Sequence, residues 1–128
     1  MTSRIAQFCI SVTDLARSEA FYCEVMGLQV LDRIEIPDAN EIVLGSPDSE
    51  GKLQLAQKKS QQGPINHGDE ALWKFYIYVD NIDSVFRAAV DYGCPVEMEP
   101  TALEEWPVTI AMIIDPDGYR IELLESRA

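Results

Sequence analysis

The chain has 128 residues, of which 47% are hydrophobic and 25% charged, and a formal net charge of −12. That length supports one domain with a real core, and the charge argues against nucleic acid or an anionic membrane surface as a partner. No apolar run approaches the ~20 residues of a membrane span, the first residues lack the apolar stretch and cleavage site of a signal peptide, and a cytoplasmic location is expected.

Arg4 to Val12 alternates, with Ile5, Phe8, Ile10 and Val12 apolar and Gln7, Cys9 and Ser11 on the other parity. This pattern predicts a half-buried strand. Thr13-Asp14 then offers a helix N-cap. Leu15, Ser18, Phe21, Tyr22 and Val25 recur at helical spacing, and Gly27 stops the helix. Leu28 to Ile36 reads as a strand, Pro37-Asp38 as a turn, Glu41 to Gly45 as a short strand, and Lys52 to Gln57 as a further one. Lys58 to Glu70 is polar, contains Gly63-Pro64 and Gly68, and reads as a connector. The lone His67 lies there and is expected to be solvated, not a catalytic group or a ligand.

The pattern then restarts. From Leu72 to Val79, Phe75, Ile77 and Val79 form one face, and Lys74, Tyr76 and Tyr78 the other. Asp80-Asn81 repeats the cap. Ile82, Val85, Phe86, Ala89 and Val90 make the apolar stripe of a second helix, and Gly93 ends it. Val96 to Glu99 is a strand. Pro100 to Pro107 is a loop carrying Glu104, Glu105 and Trp106, the two glutamates facing water. Val108 to Ile114 is a buried strand. Asp115-Pro116-Asp117-Gly118 is a tight turn, because proline presets φ, aspartate bonds the backbone ahead, and glycine accepts φ > 0. In the strand that follows, Tyr119, Ile121 and Leu123 point one way, and Arg120, Glu122 and Leu124 the other. The cysteines Cys9, Cys23 and Cys94 form no CxxC pair, and their odd number points to free thiols.

The two halves match. Gln7 to Leu15 aligns with Lys74 to Ile82, and Lys52-Leu53-Gln54-Leu55 with Arg120-Ile121-Glu122-Leu123. The expected fold class is α+β: two tandem βαβββ modules forming a curved mixed sheet within one domain, 1–128. Module 1 runs from about 1 to 60, the connector from about 58 to 70, and module 2 from about 71 to 128. The helices are expected to cover one face of the sheets. The opposite face would gather Gln7, Cys9, Ser11, Lys52, Gln54, Lys74, Tyr76, Tyr78, Arg120 and Glu122 around a cavity.

Val12-Thr13-Asp14-Leu15 with Arg17-Ser18, Phe21-Tyr22, Met26-Gly27-Leu28, and Asp115-Pro116-Asp117-Gly118 followed by Ile121-Glu122-Leu123 together resemble the vicinal oxygen chelate superfamily. That superfamily includes glyoxalase I, extradiol dioxygenases, and the fosfomycin and bleomycin resistance proteins. In length and layout the chain most resembles bacterial glyoxalase I (lactoylglutathione lyase). The resemblance implies a homodimer. It also implies a divalent metal held at positions that fall here on Gln7, Gln54, Lys74 and Glu122, of which only Glu122 keeps the usual identity.

Three readings follow from that departure. The first is metal-free binding of a small molecule in the cavity, with no cofactor. Tyr76, Tyr78 and Trp106 would stack on the ligand, and Lys52, Lys74 and Arg120 would meet an anionic or carbonyl group. Set against it, the tyrosines fill the cavity and the charges snorkel to solvent. The second is a metal-independent enzyme, with Glu122 as general base beside a carbonyl and Lys74 as electrophile or Schiff-base nucleophile. The third is a glyoxalase I-like lyase or isomerase that retains a divalent metal. An extradiol dioxygenase is not expected, because its iron needs two histidines and a glutamate.

Overall fold

Each half of the chain folds as a strand, a helix and three further strands. The computed structural model describes residues 2–128, and the chain divides into two units, Met1–Ile65 and Asn66–Ala128. The first unit holds β1 (Phe8–Ser11), α1 (Leu15–Ala20) with a π-helical turn (Phe21–Val25), β2 (Gln29–Ile36), β3 (Ala39–Gly45) and β4 (Lys52–Lys58). Its sheet has the order β1-β4-β3-β2, with β1 parallel to β4 and the other neighbours antiparallel. The second unit holds β5 (Phe75–Tyr78), α2 (Ile82–Tyr92), β6 (Val96–Ala102), β7 (Val108–Ile114) and β8 (Arg120–Ser126), in the order β5-β8-β7-β6. Parallel neighbours need a crossover between them, and α1 and α2 begin the two crossovers.

Three boundaries differ from the sequence pattern by three residues or more. β1 starts at Phe8, not Arg4, because it is an edge strand that pairs only from Phe8↔Leu53 to Ser11↔Ala56. β5 likewise starts at Phe75, not Leu72. β6 runs through Pro100 to Ala102, where a loop was expected. Proline lacks the N–H for a ladder, but β6 is an edge strand with a register shift between Met98 and Thr101, so no paired donor is lost.

The pleat sorts each strand. In the first unit Ile10, Ile42, Leu44, Leu53 and Leu55 share one face by register and are buried with Phe21 and Tyr22. In the second, Phe75, Ile77, Ala111, Ile113, Ile121 and Leu123 share a face and are buried with Ile82 and Ala89 of α2. Each unit therefore buries its helix-covered face and leaves the other parity for polar chemistry.

The helix starts repeat in atomic detail. Asp14 Oδ1 accepts from Arg17 N at 3.1 Å, and Asn81 Oδ1 from Ser84 N at 3.1 Å. Leu15 N donates to Gln57 Oε1 and Ile82 N to Glu125 Oε1, each at 2.8 Å. A residue near the end of β4 or β8 thus satisfies an orphan donor of the helix beside it.

The turn ahead of β8 is built around a buried carboxylate. Asp115 Oδ1 accepts from Asp117 N at 2.8 Å and from Tyr119 N at 2.9 Å, and its carbonyl accepts from Gly118 N at 3.1 Å. His67 is only partly exposed. Its Nε2 lies 2.8 Å from the Asp117 carbonyl, which can only accept, so Nε2 carries the proton. Its ring packs edge-to-face on Tyr119 at 4.7 Å. The connector residue is half-buried because the turn offers it both a carbonyl and an aromatic face. Gly118 has φ +93°, and a Cβ there would meet His67 Nε2 at 2.9 Å. Gly118→Ala is expected to destabilise by about 2 kcal/mol through left-handed strain and loss of the histidine contact. In a His67→Ala background the same change should cost only about 1 kcal/mol, the strain alone. A denaturant double-mutant cycle reads the difference; equal costs in both backgrounds would refute the coupling.

Candidate functional site

On the open face of the second sheet, Lys74 sits immediately before β5 and Glu122 lies in β8, directly opposite Tyr76 on one side and Met112 on the other. Lys74 Nζ is 2.6 Å from Glu122 Oε1, and both side chains are only 10% exposed. Nζ also stands 4.2 Å from the centre of the Trp73 ring and 5.2 Å from that of Tyr76, within cation–π range of both. Trp73, Tyr76 and Tyr78 are 62%, 56% and 71% exposed. An ion pair that is nearly covered is thus bordered by aromatic surface that is not.

The hydrogen bond that Lys74 donates to Glu122 holds its ammonium above its ordinary pKa, with burial opposing. An amine nucleophile at neutral pH needs the reverse shift.

Arg120 shares this parity but is committed elsewhere. Its Nε and Nη2 form a fork on Glu97, at 2.6 and 2.9 Å, and Nη1 donates to the Trp73 carbonyl at 3.1 Å. The same hydrogen bonds lower the Glu97 pKa. Arg120 anchors the backbone that presents Trp73. Trp106 is 60% exposed in the loop after β6, and its carbonyl accepts from Val108 N at 2.8 Å and Arg127 Nη2 at 3.2 Å. No contact joins it to Lys74 or Glu122 among the described residues.

The open face of the first sheet carries a directional relay. Gln7 Nε2 donates to Gln54 Oε1 at 2.9 Å, and Gln54 Nε2 donates to Glu41 Oε2 at 2.8 Å. A carboxylate only accepts, so Glu41 orients the Gln54 amide, and Gln54 in turn leaves the Gln7 carbonyl outermost. Cys9 pairs in register with Gln54, and Ser11 with Ala56. Glu41 was not among the residues expected from the sequence. The available signal was the antiparallel register, which sets Glu41 opposite Ala56 and hence diagonal to Gln54. Lys52 lies at the start of β4, opposite Gly45 and away from this relay, in a separate cleft.

Among the described residues, no three His, Cys, Asp or Glu side chains gather as a metal-holding group. The three cysteines are free. Burial, then Asp115, pushes the Cys94 thiol up to about 11. Partial burial, then Glu41, also raises Cys9. The nucleophile is the thiolate, so at pH 7 a thiol reagent such as an aromatic disulfide is expected to leave Cys94 essentially unmodified in the folded protein. All three cysteines should react once it is unfolded. Fast labelling of native Cys94 would contradict its placement.

A family model described as Glyoxalase/Bleomycin resistance protein/Dioxygenase superfamily matches residues 4–123. The lactoylglutathione lyase of Haemophilus influenzae is 28% identical over 127 residues, covering 98% of this chain and 94% of that one. The structure of a trypanothione-dependent glyoxalase I from Leishmania major superposes with a TM-score of 0.81 at 28% identity, covering 97% of this chain and 87% of that one. An antibiotic-binding protein from a Streptomyces species has the same fold, with a TM-score of 0.73 at 20% identity over 98% of this chain and 97% of that one.

Proposed function

Since the chain belongs to the Glyoxalase/Bleomycin resistance protein/Dioxygenase superfamily, we propose that it binds a small organic ligand on the open face of the second sheet without a catalytic metal. One observation carries this reading: the 2.6 Å contact between Lys74 Nζ and Glu122 Oε1. The resemblance places metal ligands at Gln7, Gln54, Lys74 and Glu122. An ammonium has three donors and no lone pair, and two amide carbonyls are weak donors to a transition metal. That donor set does not fit a divalent metal. Lys74 already supplies Glu122 with the positive charge that a metal ion would bring. Trp73, Tyr76 and Tyr78 offer the stacking surface, and the ammonium edge offers a contact for a carbonyl or anionic group.

The second reading is a glyoxalase-like lyase, favoured by 28% identity to lactoylglutathione lyase over nearly the whole of both chains. Glu122 would take a proton from the carbon next to a carbonyl and return it to the neighbouring carbon, with the Lys74 ammonium facing the developing oxyanion. The fold serves a glyoxalase and an antibiotic-binding protein alike, so it does not choose between the readings.

Two measurements separate them. Calorimetric titration with nickel, zinc and manganese, with Glu122→Ala as control, is expected to show no stoichiometric binding. Stoichiometric binding that vanishes in the variant would refute the metal-free reading. Titration with S-lactoylglutathione, followed by tryptophan fluorescence and assigned with Trp73→Phe, is expected to saturate. Conversion of the glutathione hemithioacetal of methylglyoxal, lost in Glu122→Ala, would establish the lyase instead.

A further inference from the structure

We propose that a cleft beside the start of β4 in the first unit is a binding site for a small oxyanion, a phosphate or carboxylate group carried by a metabolite-sized molecule. The cleft has a volume of about 440 Å³, and its lining includes Arg4, Lys52, Ser46, Ser49, Glu50 and Ile5. That volume lies within the ~300–1,000 Å³ of small-molecule sites.

The chain has ten lysines and arginines. Arg33, Lys59, Lys74 and Arg120 pair with Glu19, Glu35, Glu122 and Glu97. Arg17 donates to Thr13 Oγ1, and Arg127 to the carbonyls of Leu103 and Trp106. Arg4, Lys52, Lys58 and Arg87 have no ion-pair partner among the described residues, and two of these, Arg4 and Lys52, line this one cleft. Of the three cations that the open strand faces offered by sequence, Lys74 and Arg120 each pair with a carboxylate, whereas Lys52 has no carboxylate partner among the described residues.

The hydroxyls point the same way chemically. Ser46 Oγ accepts from Asp48 N, and Ser49 Oγ from Gly51 N, both at 3.3 Å. A lone pair of each oxygen is thereby engaged by the loop, while each O–H proton is available to donate. The lining presents two cations and two hydroxyl donors against a single carboxylate, Glu50. The chain as a whole carries −12, so its long-range field repels anions. Affinity must come from these local donors and should fall with salt. Ile5, 90% exposed, offers the rim an apolar contact for the organic part of the ligand. This site is built from residues of the first unit and the Lys74–Glu122 pair from residues of the second, and its success or failure does not bear on the reading given to that pair.

The test is amide NMR on the full chain, titrated separately with inorganic phosphate and with acetate at constant ionic strength. Saturable shifts confined to Arg4, Ile5 and the 46–52 segment are expected for phosphate; an equal response to acetate would assign either oxyanion, and a phosphate-only response would assign a phosphate. Arg4→Ala with Lys52→Ala should weaken binding at least tenfold, with shifts elsewhere in the spectrum unchanged. Glu50→Gln should tighten it severalfold, a gain that misfolding does not mimic. Arg87→Ala should leave it alone. The proposal is overturned if shifts do not saturate, if they appear equally at Lys58 and Arg87, or if they survive in the Arg4→Ala, Lys52→Ala variant.

Discussion

Lys74→Ala is expected to destabilise the protein by about 3 kcal/mol, one of the two largest effects of any single substitution considered. The reason is the partner it leaves behind. Glu122 is 7% exposed, opposite Tyr76 and Met112, and its oxygen is 2.6 Å from the ammonium. Removing one member of a buried pair strands the other charge, which costs about 3–5 kcal/mol; the remaining exposure puts this case at the lower end. Replacing both, as Lys74→Met with Glu122→Leu, should restore most of the loss, because the desolvation penalty goes with the charges. Urea denaturation of the two singles and the double forms the cycle. Single losses below about 0.5 kcal/mol would mean that the pair behaves as a solvated surface bridge.

The pair also has a pH signature. The folded-state pKa of Lys74 lies above its ordinary value of 10.5, chiefly through the hydrogen bond to Glu122. A raised lysine pKa means that the folded state holds the proton more tightly than the unfolded one. Its contribution is fully present below pH 10.5 and is lost as pH rises through the folded value. The wild type should therefore lose stability on the alkaline side relative to the Met–Leu double variant. Taking the difference between the two removes the titration of every other lysine and tyrosine.

Asp115→Ala is expected to cost about 3 kcal/mol as well. One buried oxygen accepts from two backbone N–H groups, of Asp117 and Tyr119, and Tyr119 is itself buried. Alanine leaves both donors without that acceptor, at about 1–3 kcal/mol each where water cannot reach. Asp115→Asn keeps an amide oxygen in reach and should cost about 1 kcal/mol, the difference between charged and neutral acceptors. Because this turn sets where β8 begins, Asp115→Ala should also broaden the amide signals of Arg120 to Glu122. Equal losses for Ala and Asn would show that the oxygen's double acceptance is not what stabilises the turn.

Much of this was readable from local chemistry. The parity of β8, the caps Asp14 and Asn81, and the stop glycines Gly27 and Gly93 are settled by side chains within a few residues of where they act. The repeat aligns Gln7 and Gln54 with Lys74 and Glu122, and the structure brings both aligned pairs into hydrogen-bond contact. His67 was misjudged because nothing near it in sequence announces that Asp117 and Tyr119, some fifty residues on, supply its partners. Glu41 was missed because its role depends on the register of β3 against β4.

By itself, then, the sequence determined the order of the elements, the two-fold repeat and the polar faces. These depend on periodicity and residue chemistry, which are local. Only the tertiary structure decided which polar residues remain available. Glu97 and Glu122 proved to pair with Arg120 and Lys74, while Lys52 has no carboxylate partner among the described residues. Ion pairing acts over a few ångströms, and residues far apart in the chain come that close only when strand register and turn geometry bring them together.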